Sequence, residues 1–124
     1  MPHIIIEHSN NIRNQDAMII GTAIQQFMGN LTEGNFDPDQ CKIRSLSYDN
    51  FIVGLEKNPT DFIHISIKIL VGRTTEIRNK LARLSFDFAK EFVTRLSLQS
   101  KRCDISVDIS EMDREVYHKI TLES

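Results

Sequence analysis

Between Asp61 and Val71 the chain alternates without a break. Ile63, Ile65, Ile67, Ile69 and Val71 fall on one side, and Phe62, His64, Ser66, Lys68 and Leu70 on the other. Period-two alternation of this length is the mark of a β-strand with one buried face. Such a strand cannot bury its apolar side alone, so it demands a sheet and a second layer packed on it. Three weaker segments answer that demand. His3 to His8 puts Ile4 and Ile6 on one face, Lys42 to Tyr48 puts Ile43 opposite Arg44 and Leu46, and Cys103 to Ile109 sets Cys103, Ile105, Val107 and Ile109 against Asp104, Ser106 and Asp108.

The covering layer is also legible. From about Asn14 to Met28, residues Ile20, Ala23, Ile24 and Phe27 share a helical face, and Gly29-Asn30 reads as its C-cap. From about Thr75 to Gln99, residues Ile77, Leu81, Leu84, Phe88, Phe92 and Leu96 form a stripe, with Thr74 placed as N-cap and Glu76 at the positive end of the helix dipole. The order strand-helix-strand is therefore written twice, with the loop-like "DNFIVGLEKNPTD" between the copies. The expected fold is α+β (α/β): tandem β-α-β units forming a four-stranded sheet with two helices on one face. All 124 residues form a single domain of two pseudo-repeated halves, at about 2–48 and 61–110.

Composition limits the function. Net charge is −2, and the predicted open face of the sheet carries Asp104 and Asp108 without paired aromatics, which argues against nucleic acid as a partner. No apolar run approaches the roughly 20 residues of a membrane span. The apolar start "MPHIIIEHS" is too short for a signal peptide and has no basic leader, so the cytoplasm is the expected compartment. Cys41 and Cys103 make no CxxC pair, and His3, His8, His64 and His118 lack metal-ligand spacing; no metal is expected. His3 and His64 open the two halves alike and are given a structural role beside a neighbouring strand.

Four segments carry a family resemblance. They are "MPHIIIEHSNNIR" at the start, "KIRSLSY" in the second strand, "HISIKILVGRTTEIR" in the third strand and the following helix, and "ISVDISEMD" in the last strand. Together they resemble the tautomerase superfamily, and within it the 5-carboxymethyl-2-hydroxymuconate Δ-isomerase family. The resemblance implies a tautomerase-like domain assembling as a homotrimer, and a cofactor-independent enzyme with an N-terminal proline as base. It also implies arginines that receive the carboxylates of a small-molecule substrate. Carried over residue by residue, the base is Pro2 and the substrate-binding arginines are Arg44 of the second strand and Arg73 of the "GR" motif. In the other half the place of Arg44 reads as Ser106, and that of Arg73 as Ile12 with Arg13 beside it, so one composite site per chain is expected.

The chemistry explains the choice of residues. A keto–enol isomerase needs a base that is neutral near pH 7 and a good acid once protonated. An α-amine starts at roughly 7.7–8.0, and burial or nearby cations lower it. Proline inside a peptide bond has no basic nitrogen, so removal of Met1 is a chemical requirement. Ile4, Ile6 and Phe51 are the expected apolar walls. Arg44 is assigned to the 2-oxygen, where it would stabilise a developing dienolate, and Arg73 to the far carboxylate, held by two parallel hydrogen bonds. The expected substrate is an unsaturated 2-hydroxy or 2-oxo di- or tricarboxylate, with 5-carboxymethyl-2-hydroxymuconate foremost and aromatic catabolism the setting. The alternatives are a tautomerase for another 2-oxo acid, a trimer that kept the fold and lost catalysis, and a non-enzymatic ferredoxin-like binding module.

Overall fold

A computed structural model describes residues 1–55 and 57–123. Glu56, in the loop between the halves, and Ser124, the last residue of the tail, lie outside the described residues. The elements run β1 (His3–Ser9), α1 (Asn14–Asn30), β2 (Lys42–Tyr48), β3 (Asp61–Leu70), α2 (Thr75–Thr94) and β4 (Cys103–Met112), with short 3-10 turns at Thr32–Gly34 and Pro38–Gln40. The sheet order is β2-β1-β3-β4. Within each half the two strands are parallel, as a helical crossover requires. The halves meet through the antiparallel β1–β3 pair, where Ile4 faces Ile67 and Ile6 faces Ile65.

That register sets the core. Ile4, Ile6, Ile63, Ile65 and Ile67 are completely buried beneath Ile20, Ile24 and Leu81 of the helices. Both helices pack on this one face and touch each other. The opposite face carries His3, Arg44, His64, Ser66, Lys68, Asp104, Ser106 and Asp108, and among the described residues no helix packs on it. Gly21 lets α1 lie close on the sheet, because a Cβ there would overlap Ile43 Cγ2.

Several boundaries differ from the sequence reading; β1 runs one residue further, to Ser9, and β4 three further, to Met112. Gly29-Asn30 does not cap α1: the helix runs through Asn30 and closes with Leu31 N–H donating to Phe27 O at 3.0 Å. Gly29 is needed instead for the close approach of Pro38, 3.1 Å from where a Cβ would stand. Helix α2 ends at Thr94 rather than near Gln99, and Ser97, inside the expected span, takes left-handed backbone at φ 52° that a helix cannot continue through. Its buried stripe is Ile77, Leu81, Ser85, Ala89 and Val93, while Leu84 is exposed. The predicted N-cap holds, with Thr74 Oγ1 accepting from Ile77 N–H at 3.2 Å. Strand β3 stops at Leu70, and Val71 is partly exposed in the turn that follows.

Candidate active site

The start of β1 lies beside the end of β3 because those strands are antiparallel, and beside the start of β2 because those are parallel. Pro2 therefore sits where three segments converge. It is buried, and its carbonyl accepts from Lys42 N–H at 3.0 Å. The amine of Met1, one residue before Pro2, lies lower in pKa than an ordinary α-amine; burial is the main cause, followed by the charges of Arg73 and Lys42.

Arg73 reaches this place through a sharp turn. Gly72 takes φ +130°, a conformation that side-chain-bearing residues rarely adopt. The guanidinium then donates to three backbone carbonyls: Nε to Gly34 O at 2.8 Å, Nη1 to Leu70 O at 3.2 Å and Nη2 to Asn35 O at 3.0 Å. It also lies 4.5 Å over the Phe36 ring. Three of its five N–H groups are thus committed to pinning the Thr32–Gly34 turn against the end of β3. This is a larger share of structural duty than a carboxylate-holding fork was expected to carry.

Arg44 stands opposite Ile5 on the open face, exposed, with Nη1 donating to His3 Nδ1 at 3.1 Å. His3 Nε2 in turn meets Tyr117 Oη at 3.0 Å. His3 thus has neighbours beyond the structural role expected of it, and Tyr117 belongs to a segment outside the family-like motifs. The tail, 113–121, leaves β4 beside Val71, where Arg114 Nε donates to Val71 O at 3.0 Å. It passes His3 and reaches the segment before β2, where Lys119 Nζ donates to Gln40 Oε1 at 2.9 Å. Lys42, which the motifs do not single out, is the second cation bearing on the Met1 amine. Its placement opposite His3 is visible only once the register is known.

Two expectations are corrected. Phe51 packs on Phe62, 5.3 Å between ring centroids, at the start of β3 and so at the opposite end of the sheet from Pro2. A cavity of about 390 Å³ beside it is lined by Asn11, Phe51, Val53, Pro59, Asp61 and Ser100. Ile4 and Ile6 are sealed in the core rather than lining an open pocket. The second correction concerns the pseudo-repeat. With His3 laid on His64, Ile5 falls on Ser66, and their parallel-ladder partners are Arg44 and Asp108. The counterpart of Arg44 is thus Asp108, an acid, while Ser106 corresponds to Lys42. Ile12, at the place of Arg73, is buried in the core, and Pro2 has Ile63, inside a strand, as its counterpart.

Among the described residues no group of three or more His, Cys, Asp or Glu side chains converges to hold a metal ion, and no helix is long and apolar enough to cross a membrane.

Comparison with known proteins agrees with this architecture. No curated protein matches the chain by sequence. Among solved structures the chain is similar to a 5-carboxymethyl-2-hydroxymuconate isomerase from Deinococcus radiodurans R1, at 17% identity and TM-score 0.75 over 98% of this chain and 90% of that one. It is similar to a 5-carboxymethyl-2-hydroxymuconate delta-isomerase at 18% identity and TM-score 0.78, covering 98% and 88%. A macrophage migration inhibitory factor-like protein from Entamoeba histolytica shares the fold at 13% identity and TM-score 0.67, covering 96% and 95%. These likenesses establish a tautomerase-like fold. The sequence profile of 5-carboxymethyl-2-hydroxymuconate isomerase matches residues 2–121, from Pro2 through the tail that carries Tyr117, and the chain belongs to that family.

Proposed function

We propose that this isomerase works through the secondary amine of Pro2, exposed by loss of Met1, and moves a proton on an unsaturated 2-hydroxy or 2-oxo di- or tricarboxylate. 5-Carboxymethyl-2-hydroxymuconate is the foremost candidate. The single observation that carries the reading is the seat of the chain terminus. Pro2 is buried there, and the Met1 amine one residue before it is lowered in pKa by burial and by the charges of Arg73 and Lys42, the kind of environment that favours a neutral amine.

In the proposed reaction the neutral Pro2 nitrogen accepts the proton lost as the enol or its vinylogous carbon acid ionises. Electron density then rests on a dienolate whose oxygen is met by Arg44. The protonated amine returns the proton to a different carbon, so the double bond moves and composition is unchanged. Arg73 keeps one N–H on each terminal nitrogen beyond its bonds to backbone, and these are assigned to the distal carboxylate. No cofactor is invoked in these steps.

The assembly proposed is a homotrimer. Its support is a sheet face on which no helix packs among the described residues, together with the exposed apolar side chains Leu46, Ile52, Leu55, Val116, Ile120 and Leu122. Neighbouring copies would supply the pocket walls that Phe51 does not supply within one chain. A cytoplasmic setting in aromatic catabolism belongs to the same proposal. The test combines intact mass of the purified protein with a spectrophotometric ketonisation assay on 2-hydroxymuconate. The Met1-free protein is expected to turn over, and Pro2→Ala to lose turnover while keeping its oligomeric state. A Pro2→Ala protein as active as its parent removes the proposed base.

A further inference from the structure

We infer that Tyr117, carried by the C-terminal tail, is a positioning residue for Arg44 and acts through His3. The inference rests on the proposed reading of Arg44 as the group that meets the substrate oxygen.

The geometry fixes the direction of each bond. A guanidinium only donates, so the 3.1 Å contact from Arg44 Nη1 requires a bare, accepting Nδ1 on His3. The neutral ring must then carry its proton on Nε2, where Tyr117 Oη lies at 3.0 Å and accepts it. Arg44, which only donates, thus sets the tautomer, and Tyr117, whose hydroxyl can accept, holds the ring by its Nε2–H so that Nδ1 stays aimed at Arg44. The imidazole is also kept below its ordinary pKa, by burial first, then by Arg44 and Lys42 of β2, the terminal amine and Lys68 of β3. Protonation would place an N–H against the guanidinium and break the chain of bonds.

The support is anchored at both ends. Arg114 ties the tail to Val71 and Lys119 ties it to Gln40, so Tyr117 is held on the span between two fixed points. Its ring meets the His3 ring edge-on, 6.1 Å between centroids and 76° between planes. His3 itself follows Pro2 directly in the chain, so the ring that holds Arg44 is set one residue from the base. A long, exposed arginine would otherwise sample many rotamers at the moment the dienolate needs it.

The test uses the full-length, Met1-free protein. Long-range ¹H–¹⁵N correlation spectra of the imidazole are expected to show His3 as the Nε2–H tautomer, and Tyr117→Phe to shift it toward a mixture. In the ketonisation assay Tyr117→Phe is expected to lower kcat/KM about three- to tenfold, the worth of one neutral hydrogen bond. In an Arg44→Ala background the same change is expected to have no further effect, because there is no guanidinium left to position. Equal losses in both backgrounds, or an Nδ1–H tautomer in the parent, overturn the inference. A parent that binds but does not turn over the substrate removes the functional reading instead; the tautomer, read without substrate, still decides the role of Tyr117.

Discussion

Lys42 donates its backbone N–H to the carbonyl of Pro2, and its side-chain charge bears on the amine of Met1, one residue before that proline. One residue thereby fixes the proposed base in space, and under the proposed reading its charge would tune that base once Met1 is lost.

The tuning gives the first prediction. A nearby cation disfavours an ammonium, so removing it raises the amine pKa. Lys42→Met, which keeps length and loses charge, is expected to move the acidic limb of the kcat/KM profile to higher pH, since more amine is then protonated at any given pH. The check is the pH profile against the parent; a limb that stays put or moves down contradicts the assignment.

Arg73 has a second role that activity alone would hide. Its three bonds to Gly34, Leu70 and Asn35 satisfy carbonyls of two separate segments. Arg73→Ala is expected to cost about 1–3 kcal/mol of folding stability, read by urea denaturation, as well as activity. Arg73→Lys, a point charge that cannot serve three carbonyls, is expected to recover little of the stability. An unchanged denaturation midpoint in both variants contradicts this.

Gly21 sits mid-helix, where alanine ordinarily gains up to about 1 kcal/mol. Here Gly21→Ala is expected to destabilise by about 1–3 kcal/mol, because the added methyl overlaps Ile43 Cγ2. In an Ile43→Ala background the same change is expected to be neutral or stabilising. Additive losses in the double variant would show that crowding against Ile43 is not the cause.

Burial, then the charges of Asp61 and Asp104, pushes the Cys103 thiol up to about 11. Alkylation of folded Cys103 by iodoacetamide at pH 7.5 is expected to run about two orders of magnitude slower than in urea, and to speed up as pH rises toward that value. Equal rates in folded and unfolded protein contradict it.

The layered fold was readable because alternation and helical period report burial directly: Ile63 to Ile69 and Ile77 to Leu81 could be assigned a face without knowing any partner. Boundaries that depend on loop backbone were not, as Gly29 and Ser97 show; the first responds to Pro38 packing against it, the second to a left-handed turn beyond the helix. At the candidate site, Pro2, Arg44 and Arg73 stood out by motif. Lys42, His3 and Tyr117 did not, because their significance comes from strand register and from a tail returning 114 residues later in the chain. The same cause hid Asp108, whose correspondence to Arg44 appears only across the β3–β4 ladder. Phe51 was misplaced for a related reason: antiparallel pairing sends the start of β3 to the far end from Pro2.

The central claim is that catalysis belongs to a free ring nitrogen at position 2. The most direct measurement separates Met1-free from Met1-bearing chains, verifies each by intact mass, and compares their ketonisation rates on 2-hydroxymuconate. Turnover confined to the Met1-free chain is the predicted result; equal turnover by the chain whose Pro2 nitrogen is an amide contradicts it.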